Sequence, residues 1–306
     1  MNLNPIPPLA EDNAEVATII EDINRLTVGD PPDTARWIEY PLSEPNWIVT
    51  NKHLAEQRGP TQYGYFCGLE TFVHQIPSPA QQLFIQSFSR KLLKKLTKLC
   101  RRHRVRMFRK RILAITPPTS KAGSNACRDL HQPDAFFHHV CLPKYGVVVE
   151  ISYLQKRERL QELAEFYILK SNRKVRLFVA FDYDHHRTWN VSMHTWRRDY
   201  TDPEGRKLKH HYQEIRGDDG RLVPGPPLRV CLLDFARQEL IPPFLHGRNI
   251  ELSVREIGAV IEEADALEEI ELEELDSDGD SEDPETARDP GHLEWPFEEV
   301  GHIPYP

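Results

Sequence analysis

The spacing of apolar and polar residues changes rhythm several times along this chain, and each change predicts an element. After Ser78-Pro79-Ala80, which reads as a helix start, Leu83, Phe84, Phe88, Leu92, Leu96 and Leu99 recur at helical spacing, with Lys91, Lys94, Lys95 and Lys98 largely off the apolar stripe. This predicts an amphipathic helix over 80–102. Residues 105–115 alternate apolar and basic side chains, as a strand does. Strands are also expected over 133–140 and 146–153; the second is β-branched and nearly unbroken, like a strand buried on both faces. A helix over 157–169 follows, with Leu160, Leu163, Ala164, Tyr167 and Ile168 on one face. Another buried run covers 174–183, so the order of this stretch is α-β-β-β-α-β.

On either side the pattern weakens. Residues 189–196, 208–215 and 228–235 read as an antiparallel extension, with Asp218-Asp219-Gly220 supplying turn chemistry. Residues 15–26 have helical spacing, but Pro31, Pro32, Pro41 and Pro45 break any long element after them. Residues 1–62 are therefore expected as a short helix and an extended arm, and 63–245 as the body. Ser253-Val254-Arg255-Glu256 is a capping-box pattern opening a helix to about 274, so 246–275 forms a C-terminal helix and 276–306 an acidic, disordered tail. No internal repeat is visible. The expected class is α/β (α+β), with a mixed central sheet, an antiparallel extension and flanking terminal helices.

Charge sharpens this picture. The net charge of −8 sums two opposed segments: 90–111 holds twelve Lys and Arg, 71–128 contains no Asp or Glu, and more than half of 262–285 is acidic. A surface of Lys91, Lys94, Lys95, Lys98, Arg101 and Arg102 suits phosphates of a nucleic acid. The alternatives are a solvated helix face or one sheathed by the acidic tail, and the tail could compete with nucleic acid for it. Five widely spaced cysteines without a C-x-x-C pair argue against a disulfide framework and a cysteine zinc site. No basic n-region opens the sequence and no window offers the ~18 apolar residues of a membrane span, so an intracellular setting, cytoplasmic or nuclear, is expected.

Two carboxylates stand out. Asp134 heads one strand candidate and Glu150 follows three valines in the next. A carboxylate closing a buried run costs on the order of several kcal/mol unless paired or metal-bound. Two acids on adjacent strand ends provide what Mg²⁺ or Mn²⁺ asks of a protein. Ordinary turn chemistry for Asp134, or pairing of Glu150 with Lys144 or Lys156, would also account for them. Ser152 shares the Glu150 face by alternation. The histidine pairs 138–139, 185–186 and 210–211 place neighbouring rings on opposite faces and do not chelate one ion; His139 and Cys141 share a face but lack further ligands nearby.

Pro133-Asp134, Gly146-Val-Val-Val-Glu150, the charged helix and the next apolar strand together resemble the PD-(D/E)XK nuclease superfamily. Within it the chain is most similar to the Uma2-like branch and to fungal nuclease-like proteins with an E-V-S-Y-S-Q-K type signature, matched here by Glu150-Ile151-Ser152-Tyr153-Leu154-Gln155-Lys156. The likeness is close over 127–184 and loose through 228–236. It implies a restriction-endonuclease-like αβββαβ core and a metal-dependent phosphodiesterase acting on nucleic acid. Asp134 and Glu150 would hold Mg²⁺ or Mn²⁺. The family's usual lysine position is Ser152 here, and the Uma2-like alternative, four residues before Tyr167, is Leu163. Lys156 with Gln155 is the remaining candidate, ahead of Arg157 and Arg159, and Glu70 could supply an extra acid. Rival expectations are a catalytically silent nucleic-acid-binding module and a protein-interaction scaffold using the C-terminal helix and acidic tail.

Overall fold

The computed structural model describes residues 14–28, 37–56, 62–102, 106–115, 120–121, 130–152, 157–171, 174–183 and 189–278. They form a mixed α/β fold. In chain order the elements are α1 (Ala14–Val28), β1 (Trp37–Pro41), α2 (Glu44–Glu56), β2 (Gln62–Phe66), β3 (Thr71–Gln75), α3 (Pro79–Arg102), α4 (Arg106–Lys110), β4 (Ile112–Ile115), β5 (Ser120–Lys121) and β6 (Leu130–His131). Then follow β7 (Ala135–His139), β8 (Tyr145–Ser152), α5 (Arg157–Glu165), β9 (Lys174–Tyr183), β10 (Val191–Arg198), β11 (Leu208–Arg216), β12 (Leu228–Cys231), α6 (Leu232–Phe235), β13 (Asn249–Leu252) and α7 (Val254–Asp278). Residues 1–268 and 269–306 are separate units, and the architecture below is that of the first. The tail expected over 276–306 lies, from residue 279 on, outside the described residues.

Six strands form a mixed sheet in the order β11-β10-β9-β8-β7-β4, in which only β8 and β9 run parallel. Parallel neighbours need a crossover, here α5, and a sheet covered on both faces explains the nearly continuous apolar runs of β8 and β9. Val147 and Val149 cluster with Phe84, Phe88 and Leu92 of α3 and with Ile257 and Ile261 of α7. Val148, one residue out of phase, clusters on the opposite face with Leu160, Leu163, Tyr167 and Trp196. Glu150 and Ser152 share that second face by parity. Gly146 sets the approach of β7 to β8: an added Cβ would lie 2.0 Å from the Phe137 carbonyl oxygen. The register it permits pairs His138 with Gly146 and Ala135 with Val149.

The first sixty residues depart from expectation. A second, antiparallel sheet runs β1-β3-β2-β6-β5, and α1 and α2 pack on it through Val16, Ile19, Trp47 and Leu54 against Tyr65 and Phe72. Pro45 does not break α2 because it occupies the first turn, where a missing N–H is no loss. Pro41 ends β1, an edge strand, where proline is tolerated.

Three other segments also differ. Over 105–115 the described part is the short helix α4 and then β4, not one strand. Phe108 and Ile112, four apart, both enter the core, and Arg109 ties α4 to α3 through Thr97 Oγ1 at 3.1 Å. Residues 228–235 split into β12, which pairs with β13 in its own ribbon, and α6, whose Asp234 accepts from the Cys231 N–H at 2.7 Å. The helix over 157–169 ends in a π-helical turn, Phe166–Lys170. By contrast, the capping box forms as read: Ser253 N–H donates to Glu256 Oε2 at 3.0 Å, and Glu256 N–H to Ser253 Oγ at 3.3 Å.

One buried group in the second sheet carries a stability prediction. His74 on β3 is 1% exposed, and neither ring nitrogen has a hydrogen-bond partner among the described residues. Burial lowers its pKa to about 4. The unfolded chain therefore binds the proton more readily, and the neutral ring's contribution is lost as pH falls from about 6.5 through 4. His74→Leu is expected to stabilise the protein by about 1–3 kcal/mol and to make its midpoint less acid-sensitive in that window. Thermal melts at pH 7 and pH 5 check both; a variant less stable than wild type at both would refute them.

Candidate functional site

Antiparallel pairing of β7 and β8 brings the start of one strand beside the end of the other, so Asp134 meets Glu150. Both are buried, at 4% and 7% exposure. The Asp134 N–H donates to Glu150 Oε2 at 3.2 Å, and the Ile151 N–H donates to Asp134 Oδ2 at 2.7 Å. Tyr167 Oη donates to Glu150 Oε1 at 3.0 Å, from the π-helical turn after α5. Gln81 Nε2 approaches Asp134 Oδ1 at 3.3 Å. Ser78 Oγ, accepting from the Gln81 N–H at 3.0 Å, caps the first turn of α3 and sets that glutamine in place. The Gln62 side chain, from β2, also bonds Asp134.

Two buried acids in contact cannot both ionise cheaply. Burial raises the Asp134 pKa, the hydrogen bonds it accepts offsetting part of the rise. Burial first, then the Asp134 charge, lifts Glu150 well above the usual carboxylate range. Without a cation the pair therefore holds a proton more tightly than free carboxylates do.

The surroundings fit a hard divalent ion. The donors are chiefly oxygen: the two carboxylates, the Ile151 carbonyl, to which Gln81 also reaches at 3.5 Å, and Gln62 Oε1, a buried acceptor without a hydrogen-bond donor among the described residues; the His131 imidazole lines the same cavity. A cavity of about 30 Å³ reaches Glu150 between Gln62, His131 and Leu163, room for a water or an ion. A groove of about 230 Å³ opens on the Asp134 side, bordered by Gln62, Gln82 and Gln86. Among the described residues no three His, Cys, Asp or Glu gather as a metal cluster, so an ion here would draw on amide and backbone oxygens as well.

The other residues singled out by sequence are dispersed. Ser152 is buried on β8, paired with Asp182 and on the Glu150 face. Gln155 and Lys156 lie outside the described residues, as do His185 and His186. Arg159 is committed elsewhere: it pairs with Glu39 at 3.2 Å and Glu162 at 3.0 Å and covers the Phe66 ring. Glu70 occupies an exposed left-handed turn between β2 and β3 (φ 46°), whereas the residue that α3 presents to the pair is Gln81. Leu163 lines the cavity beside Glu150, so the alternative lysine position faces the site with an apolar side chain.

Lys94, Lys98, Arg101 and Arg102 are exposed and Lys91 half-buried. Lys95 pairs with Glu256 of α7 at 2.6 Å, and Arg90 with Glu263 at 3.7 Å, so part of the basic helix meets acids from α7. His138 Nδ1 contacts the His139 carbonyl oxygen at 3.1 Å, and His210 bonds His194 at 3.0 Å. Gln62, Gln81 and the role of Tyr167 went unread in the sequence; only the Ser78 cap, which fixes where Gln81 falls, pointed toward any of them. No helix among the described residues is long and apolar enough to cross a membrane. No family model matches the chain, and comparison with curated proteins yields no match.

Proposed function

We propose that this chain is a metal-dependent phosphodiesterase on a restriction-endonuclease-like PD-(D/E)XK core, acting on nucleic acid inside the cell. The observation that carries the reading is the buried Asp134–Glu150 pair, set where β7 and β8 meet and supplied chiefly with oxygen donors. The α3, β4, β7, β8, α5, β9 succession supports it, because its four strands are consecutive neighbours in one mixed sheet. A bound Mg²⁺ or Mn²⁺ would neutralise charge on the scissile phosphate and acidify an attacking water. Asp134 and Glu150 would hold the ion, while Tyr167, Gln81 and the Ile151 N–H fix the carboxylate planes. Leu163 and the neighbouring apolar layer limit water around Glu150. Lys156 and Gln155 are assigned the family lysine's task of steadying phosphate and water, and Lys91, Lys94, Lys98, Arg101 and Arg102 contact the backbone of the strand.

A second reading has its own observation. Ser152 is buried where the family carries lysine, and Leu163 fills the alternative position. This favours a module that binds nucleic acid without cutting it, with α7 acids able to compete for α3. Incubation with Mg²⁺ or Mn²⁺ and single- or double-stranded DNA or RNA separates the two. The first reading expects cleavage that falls at least about a hundredfold in Asp134→Asn and in Lys156→Ala. Salt-sensitive binding without cleavage in wild type selects the second, and neither binding nor cleavage sinks both.

A further inference from the structure

A larger concavity of about 670 Å³ lies by the C-terminal end of α3, within the ~300–1,000 Å³ range of small-ligand pockets. Arg101, Arg106 and Arg111 line it with His139, and Phe108 and Leu240 give it an apolar wall. None of the three guanidinium groups has an ion-pair or hydrogen-bond partner among the described residues. Arg109 shows the contrast: its side chain is spent on Thr97 Oγ1 and, at 3.2 Å, the Ile112 carbonyl. His139 Nδ1 accepts from the Cys141 N–H at 3.2 Å, which puts the ring proton on Nε2. Burial, together with the Arg111 charge, holds this imidazole below its ordinary pKa, so it enters the pocket as a neutral donor. Three like charges around one cavity repel each other, and an anion relieves that repulsion.

The pocket is also joined to the carboxylate pair. Phe84, Phe88, Leu92, Leu96 and Cys100 form the buried row of α3 at four-residue spacing. Gln82, Gln86, Arg90, Lys94, Lys98 and Arg102 form a matching exposed row. Gln82 and Gln86 border the Asp134 groove, and Arg101 borders the arginine pocket. From Gln81, which touches Asp134, to Arg101 the helix runs about 30 Å at ~1.5 Å per residue, or about nine stacked nucleotides at ~3.4 Å each.

We propose that the arginine pocket anchors the phosphorylated end of a nucleic-acid strand whose backbone follows the exposed row of α3 to the Asp134–Glu150 pair. Arg101, Arg106, Arg111 and the His139 N–H take the terminal phosphate, and Phe108 and Leu240 take the sugar and base. The proposal rests on the nucleic-acid reading given above.

Fluorescence polarisation on the full chain in EDTA tests it, using short single-stranded oligonucleotides with phosphate at the 5′ end, at the 3′ end, or at neither. One phosphorylated form is expected to bind wild type about tenfold more tightly than the unphosphorylated strand. R106Q/R111Q is expected to erase that preference with its thermal midpoint unchanged. K94Q/K98Q is expected to weaken all three probes alike and keep the preference. Binding of all three probes with equal affinity to wild type, or a preference that survives in R106Q/R111Q, overturns the pocket and leaves the nucleic-acid reading standing. Binding of none of them at low salt overturns both.

Discussion

Glu150→Gln is expected to melt above wild type at pH 7.5 in EDTA, and to lose the stabilisation that Mg²⁺ confers on wild type. The substitution keeps the shape: Gln Oε1 can still accept from the Asp134 N–H, while its amide donates to Tyr167 Oη, a hydroxyl that accepts as well as donates, and no charge is buried. Because burial and Asp134 raise the Glu150 pKa, the folded chain retains a proton that the unfolded chain releases. The sign follows from linkage. The acid's stabilising contribution is complete below the ordinary carboxyl pKa of ~4.3 and is lost as pH rises toward the raised folded value. Wild type thus carries a penalty at neutral pH that glutamine does not, on the order of 1–3 kcal/mol. At ~2–4 °C per kcal/mol for a domain of this size, the gap is several degrees, and it closes as pH is lowered to about 4.

The divalent ion supplies the opposite arm of the same experiment. An ion at a hundred times its dissociation constant stabilises by ~2.7 kcal/mol. Wild type should therefore rise with Mg²⁺ or Mn²⁺, Glu150→Gln should not, and the two curves should cross. A Glu150→Gln protein that melts below wild type in EDTA at pH 7.5 would show that the carboxyl is a structural ion-pair partner. A wild type indifferent to both ions would leave the pair as a shared-proton lock and remove the catalytic reading.

What the sequence made legible follows from how each feature is encoded. β8 and β9 announce themselves because a parallel pair covered on both faces must be apolar at nearly every position, and α3 because its buried row recurs over six turns. Alternation then placed Glu150 and Ser152 on one face. The second sheet was not legible: WIEYP, QYGYF and TFVHQ are five-residue strands of mixed polarity, and the first pairs with the third across the intervening helix α2 rather than with its neighbour in sequence. Over 105–115, five residues of basic-apolar alternation fit a helical turn as well as a strand, and Phe108 burial decides for the turn. Gln62 and Gln81 leave no periodic signature, since an amide is ordinary in a loop or a helix start until a carboxylate is folded against it. The π-helical turn that aims Tyr167 at Glu150 adds one residue to a turn, which a 3.6-residue pattern does not register.

The largest loss of stability is expected at a clasp remote from the carboxylates. Arg216, at the end of β11, is buried against Asp265 of α7, donates to the Trp189 carbonyl at 2.6 Å, and lies over the Tyr183 and Trp189 rings at 5.6 and 5.3 Å. Arg216→Met keeps the apolar stem but strips the buried Asp265 of this cation, which costs about 3–5 kcal/mol. The midpoint should fall by roughly ten degrees or more. Arg216→Met with Asp265→Leu should recover most of that loss, because replacing a buried pair with apolar side chains is often neutral. Thermal and urea melts of the three proteins measure the cycle, and a single variant within 1 kcal/mol of wild type would mean that the pair is not what holds α7. The consequence reaches the site through α3. Glu256 and Glu263 of α7 meet Lys95 and Arg90, and Ile257 and Ile261 pack in the same core as Phe84 and Phe88. Since α3 presents Gln81 to Asp134, loosening α7 by Arg216→Met should weaken Mg²⁺ binding at a temperature where the protein is still folded, and restoring the packing in the double variant should restore it.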